Sequence, residues 1–128
     1  MRPTSKTTEL RKQLKSILKL SVENVYYGEA PDSRRYPYVV YELGELGFSD
    51  GRTLFQMEVN VFDYGESSSA IETISDNLQE ELDQYYFINE HIQFNAYRNS
   101  RQIVRESDKK IMRRRLLFEI HFHERKGV

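Results

Sequence analysis

The sequence predicts an α+β fold, with two helices packed on one face of a mainly antiparallel sheet in the order α-β-β-β-α-β-β. Three observations carry that prediction. Residues 5–20 and 69–85 repeat apolar side chains at helical spacing, whereas the other ordered segments alternate at the strand period of two. The alternating strands keep a wet side, which argues against an all-parallel sheet buried on both faces. The strands also come in groups separated by polar, turn-forming segments.

In the first helix, residues 5–20, Leu10, Leu14, Ile17 and Leu18 share one face, and Arg11, Lys15 and Lys19 form a basic stripe beside it. Pro3, Thr4 and Ser5 supply its start. Val25-Tyr26-Tyr27 is a short strand ended by Gly28 and Pro31, and residues 28–36 form a polar loop. The strand from Tyr36 to Leu43 is apolar on both faces and lies inside the sheet or is covered on both sides. Gly44, Gly47 and Gly51 then punctuate a loop around Phe48-Ser49-Asp50. From Thr53 to Phe62, Phe55, Met57, Val59 and Val61 face the core, while Gln56, Glu58 and Asn60 face water.

Ser69 and Glu72 have the spacing of a capping box that opens the second helix. Ile71, Ile74, Leu78, Leu82 and Tyr85 form its buried stripe; Glu72, Asp76, Glu80 and Asp83 form the exposed one. Ile92, Phe94 and Ala96 begin a strand that runs, through a bulge near Asn99-Ser100, into Gln102–Glu106. Ser107–Lys110 is a turn. In the final strand, 111–123, Met112, Leu116, Phe118, Ile120 and Phe122 share the core face, and Arg113, Arg115, Glu119, His121 and His123 share the other. Arg114 falls among the apolar set, which predicts that the strand end leaves the core before it. Residues 1–128 read as one domain, with 1–4 and 124–128 expected to fray.

At 128 residues and 15.3 kDa, a domain buries roughly two-thirds of its unfolded surface. The mean hydropathy of −0.72 makes the core lean, and the nine Tyr and seven Phe separate the chain from a disordered polymer. Without cysteine there is no disulfide, thiolate metal site or cysteine nucleophile, which fits a reducing compartment. No apolar run reaches the roughly 20 residues of a membrane span, and no signal-peptide core follows Met1.

The net charge of −1 conceals four blocks. Residues 1–20 hold six basic and one acidic side chains (+5), and 21–65 hold three and eight (−5). Residues 66–90 hold seven acidic side chains and no basic one (−7), and 91–128 hold ten basic and four acidic (+6). Such segregation has two uses. The blocks are solvated faces that keep the domain soluble, or they meet across copies in a head-to-tail contact that closes into a ring.

Residues with reactive groups form no catalytic pattern. His121 and His123, two apart on a strand face, would hold a metal only if a third ligand such as His91 crossed to them, so no metal site is assigned. Ser67-Ser68-Ser69 lacks the Gly-x-Ser-x-Gly frame, and the glycines at 44, 47 and 51 do not open a helix after a strand. No catalytic residue, cofactor or cofactor site is expected, and the chain reads as a non-enzyme. The residues of interest are those of a protein interface: Lys109, Lys110, Arg113 and Arg115 as the basic cluster, and Glu72, Asp76, Glu80 and Asp83 as its acidic counterpart. Phosphate binding and a charged strand end that discourages aggregation are other uses of the basic cluster. Tyr26, Tyr27, Tyr36, Tyr38 and Tyr41 suit a subunit interface, or simply the strand propensity of tyrosine.

The succession Val25-Tyr26-Tyr27-Gly28-Glu29-Ala30-Pro31, Tyr36-Pro37-Tyr38-Val39-Val40-Tyr41-Glu42-Leu43, Met57-Glu58-Val59-Asn60-Val61-Phe62-Asp63 and the helix from Ile71 resembles the tail terminator proteins of long-tailed phages and prophages. These are also called tail completion, tail-to-head joining or minor capsid proteins. The resemblance spans about residues 8–123. It implies an α+β fold and a homo-oligomeric, hexameric ring, with a monomer as the alternative state before assembly. The ring caps the tail tube, ends elongation and offers a surface for head joining. The implied partners are the major tail tube protein and head connector proteins, with no membrane and with DNA at most passing through the lumen. The implied place is the tail-head junction of the virion, reached in the bacterial host cytoplasm. The basic stretch 109–115 departs from the family pattern. The alternatives are a head-completion or connector protein on the portal side, a small nucleic-acid-binding domain using 109–115, and, fitting worst, a small enzyme.

Overall fold

The computed structural model describes residues 5–125. The chain runs α1 (Lys6–Leu18), β1 (Asn24–Tyr27), β2 (Tyr38–Ser49), β3 (Arg52–Tyr64), α2 (Ser69–Leu82), β4 (Tyr85–Ile88), β5 (Ile92–Arg105) and β6 (Ile111–Glu124). The six strands form one sheet in the order β1-β2-β3-β6-β5-β4. Only β1 and β2 run parallel; the other four pairings are antiparallel. The expected α+β class with a mainly antiparallel sheet is thus found, but with one strand more than the predicted order.

The extra strand is β4. Tyr85, expected on the stripe of the second helix, instead pairs with Ala96 in the sheet. The helix stops at Leu82 because Asp83 turns extended and Gln84 takes a left-handed backbone (φ 60), reversing the chain. A helical stripe and a strand both bring Tyr85 to the core, so periodicity alone does not separate them.

The β2–β3 hairpin is also longer than expected. The segment 44–51, read as a loop, is the outer half of β2 and its turn. Asp50 (φ 53) and Gly51 (φ 75) both occupy the left-handed region, and Ser49 pairs with Arg52, as in a two-residue type I′ turn. A bulge between Glu45 and Gly47 absorbs one residue. Gly44 and Gly47 are weak strand formers, but pairing with the Leu54–Gln56 stretch overrides that preference.

Helix α1 starts where the Ser5 side chain accepts a hydrogen bond from the Thr8 amide (3.3 Å). Helix α2 is not capped as expected. Its N-cap is Ser68, which makes no side-chain cap bond, and Glu72 is engaged elsewhere. Both helices lie on the sheet face that carries Val39, Tyr41, Met57, Val59, Val61, Phe94, Leu116, Phe118 and Ile120, all almost fully buried. Leu10, Leu14, Ile71, Leu78 and Leu82 close the core from above. At about 25 cal/mol per Å² of apolar surface, this single layer of contacts is the main stabilising term.

Among the described residues, no helix covers the opposite sheet face. It carries Gln56, Glu58 and Asn60 of β3 with Arg115, Glu119 and His121 of β6, as the strand period requires. Tyr38 and Asn60 are buried on that face, Tyr38 by stacking on Phe62 (4.8 Å between ring centres). Glu124, expected to fray, ends β6, and the Arg125 amide bonds to the His91 carbonyl at 2.9 Å. The expected fraying at 1–4 and 126–128 falls outside the described residues.

Candidate assembly surfaces

Arg114 does not leave the core. It is 8% exposed on the helix-covered face of β6, directly after Arg113 on the open face. Its Nε donates to a Glu72 carboxylate oxygen at 2.6 Å, so a buried cation is met by the first turn of α2. Ion pairing rather than desertion of the core resolves the charge at an apolar position.

Glu72 serves a second arginine. Arg101 lies 3.1 Å from its other oxygen, bonds to Asp76 at 2.6 Å and also donates to Gln79 at 3.3 Å. The Glu72 carboxyl is held below the ordinary carboxylate range. The Arg114 hydrogen bond is the main cause, opposed by partial burial and assisted by the Arg101 charge. Strand alternation along β5 does not by itself mark Arg101. The bulge between Arg98 and Ser100 shifts the alternation by one, bringing Arg101 opposite Leu116 on the helix face. The Asn99-Ser100 bulge signal was legible; its consequence for Arg101 needed the register.

The remaining predicted interface residues separate. Arg113 donates to Asn60 at 2.9 Å, pairs with Glu106 at 3.3 Å and sits 5.3 Å from the Phe62 ring on the open face. Arg115 donates to Gln102 at 3.0 Å across the strands. Lys109 and Lys110 are exposed in the β5–β6 turn. The 109–115 run is therefore three surfaces: a turn, an open sheet face and a buried ion pair. On α2, Glu72 and Asp76 are paired within the chain, while Glu80 is exposed and Asp83 accepts the Arg98 amide at 3.0 Å.

Two shallow, oppositely charged grooves flank the sheet. Along the β1–β2 side, Thr8, Arg11, Lys12 and Lys15 of α1 meet Tyr27 and Tyr41. The Arg11 guanidinium lies 3.5 Å from the Tyr27 ring centre, and the Tyr41 hydroxyl donates to the Arg11 carbonyl at 3.0 Å. Along the β5 side, Asp76, Gln79, Glu80 and Asp83 of α2 line the second groove with Gln84 and Arg98. The tyrosines divide as well: Tyr38 and Tyr41 are buried, and burial raises both phenol pKa values above the usual 10.0. Tyr36 and Tyr64 remain exposed and in mutual contact (5.6 Å).

Among the described residues, no group of three or more His, Asp or Glu side chains is placed to hold a metal ion. None of the described helices is long and apolar enough to cross a membrane.

No protein-family model matches the chain, and no curated protein does. A solved structure does match: a chain of the "Virion of native gene transfer agent (GTA) particle". It shares 13% sequence identity at a TM-score of 0.66, over 89% of this chain and 90% of that one. At that identity the two chains are alike in fold, and the likeness extends over nearly their whole lengths.

Proposed function

We propose that this chain is a structural subunit of a phage-like virion, and specifically a tail terminator. In this reading it forms a ring on the end of the tail tube, stops further elongation and presents a surface for head joining. The observation that carries the reading is the end-to-end fold likeness to a chain of a gene transfer agent virion. The strand and helix succession from Val25 to Leu78, with its resemblance to tail terminators, points the same way. Segregated charge on opposite flanks suits a subunit that meets its own copies head to tail. The tube protein and the head connector are the remaining partners, and no reaction is assigned to the chain. The dispersal of 109–115 over three surfaces weighs against a nucleic-acid site there.

Electron microscopy of particles assembled without the chain tests this. Overlong tails are the expected result. Tails of normal length without heads would move the chain to head joining alone, and unchanged particles would overturn the proposal.

A further inference from the structure

The sheet has stepped edges. From β4, partners run straight across five strands: Tyr85, Ala96, Ile120, Phe55 and Glu45 form one row, and Ile88, Gln93, His123, Arg52 and Ser49 form the row three further on. In these rows β1 is missing, so among the described residues no strand pairs with the outer edge of β2 from Glu42 to Ser49, where the Leu43 amide alone is met, by the Tyr27 hydroxyl at 3.2 Å. At the other end the rows begin in β1: Asn24, Tyr38, Phe62, Arg113 and Val104, and then Tyr27, Tyr41, Val59, Leu116 and Arg101. Here β4 is missing, so among the described residues no strand pairs with the outer edge of β5 beyond Ala96.

The two steps are complementary and at matching heights. β4 projects at the level where β2 is bare, and β1 projects at the level where β5 is bare. Set side by side without axial shift, one copy's β2 edge faces the next copy's β4, and its β1 faces the next copy's β5. The chain directions then make the first joint parallel and the second antiparallel. Exposed apolar side chains flank the first joint on both faces: Tyr86 and Ile88 of β4 (50% and 45% exposed) on the open face, Phe48 of β2 (69%) on the helix face, and Leu46 (58%) in the β2 bulge. In the helix layer above, the basic groove of Arg11, Lys12 and Lys15 faces the groove lined by Glu80 and Asp83, with Asp76 already paired to Arg101 and Arg98 as a lining cation.

We propose that these two edges form the seam between copies, a heterologous lap joint in which each sheet continues into the next. The proposal rests on the ring reading above and names its contact. Exposed strand edges are templates for further pairing, and a joint that uses both steps leaves neither open once the ring closes.

The absence of cysteine gives a clean background for cross-linking. Ser49→Cys copies mixed with Ile88→Cys copies, treated with a short bismaleimide, should link to each other and neither to itself. Tyr26→Cys with Gln102→Cys should behave likewise. A chain carrying both Ser49→Cys and Ile88→Cys should give a ladder ending at the ring number. The reaction is run on the purified chain over a concentration series and on particles assembled with it. Separately, Glu80→Lys should weaken association by at least about tenfold, and Lys12→Glu should restore it. An oligomer that forms with no link at either joint, or single variants that link to themselves, would overturn the seam. A chain that stays single even in particles would overturn both the seam and the ring. Correct links in particles whose tails keep normal length without the chain would retain the seam and remove the capping role.

Discussion

Glu72→Gln keeps the side-chain volume and removes one charge from a site that holds two arginines. Arg114 is 9% exposed at its side chain and loses its anionic partner, whereas Arg101 keeps Asp76 at 2.6 Å. Breaking a fully buried pair costs about 3–5 kcal/mol. The Glu72 side chain is 45% exposed, so solvent screens part of that and the glutamine oxygen still accepts one hydrogen bond. We expect a loss of about 2 kcal/mol, or roughly 6–10 °C in Tm for a domain of this size. Because the folded carboxyl sits below its unfolded value, its stabilisation is present above the unfolded pKa and is lost as pH falls through the folded one. Urea unfolding followed by circular dichroism between pH 3 and 7 should therefore show a smaller acid-side loss in Glu72→Gln than in the parent. A variant within about 0.5 kcal/mol of the parent at neutral pH, with an unaltered acid limb, would refute the assignment of Glu72 as the counter-ion of Arg114. Arg114→Met serves as the control. It replaces the buried cation by an apolar chain of similar length and should fall close to the parent, since a buried pair is often no better than a hydrophobic substitute.

Other expectations follow from single contacts. Ser75 Oγ is buried with no hydrogen-bond partner among the described residues, so Ser75→Ala should leave Tm unchanged or raise it by up to about 1 kcal/mol equivalent. Gly51→Ala places a side chain at φ 75 in the β2–β3 turn and should cost about 1 kcal/mol in urea unfolding, and Asp50→Asn should be neutral. Tyr41→Phe removes the hydroxyl that reaches the Arg11 carbonyl and should cost about 1 kcal/mol. In the parent, ultraviolet titration should find Tyr38 and Tyr41 ionising later than free tyrosine. The stability they contribute is full below pH 10 and declines as pH rises through their folded values.

The legible parts are those with local causes. The stripe Ile71, Leu78 and Leu82 marks α2, and the alternation Phe55, Met57, Val59 and Val61 marks the buried face of β3; both stand in the structure. Asp50-Gly51 carried a hairpin signal that the surrounding glycines masked. Of the eight proposed interface residues, Lys109, Lys110, Asp76, Glu80 and Asp83 are exposed. Glu72 and Asp76 are nevertheless engaged by arginines of the same chain, which spacing along one helix does not reveal.

Alone, then, the amino-acid order determined the period of each segment, its apolar face and the unequal distribution of charge, because these depend on neighbours within one or two turns. Tertiary structure decided which charges cancel. Arg114 lies under α2 because β6 stays paired to β3, and Arg101 reaches the same carboxylate because a bulge in β5 reverses the faces beyond it. It also decided the outline of the sheet: the two short strands stand at opposite ends of opposite edges only through the pairing of residues far apart in the chain. Backbone hydrogen bonding sets that register across the whole sheet, and no local preference encodes it.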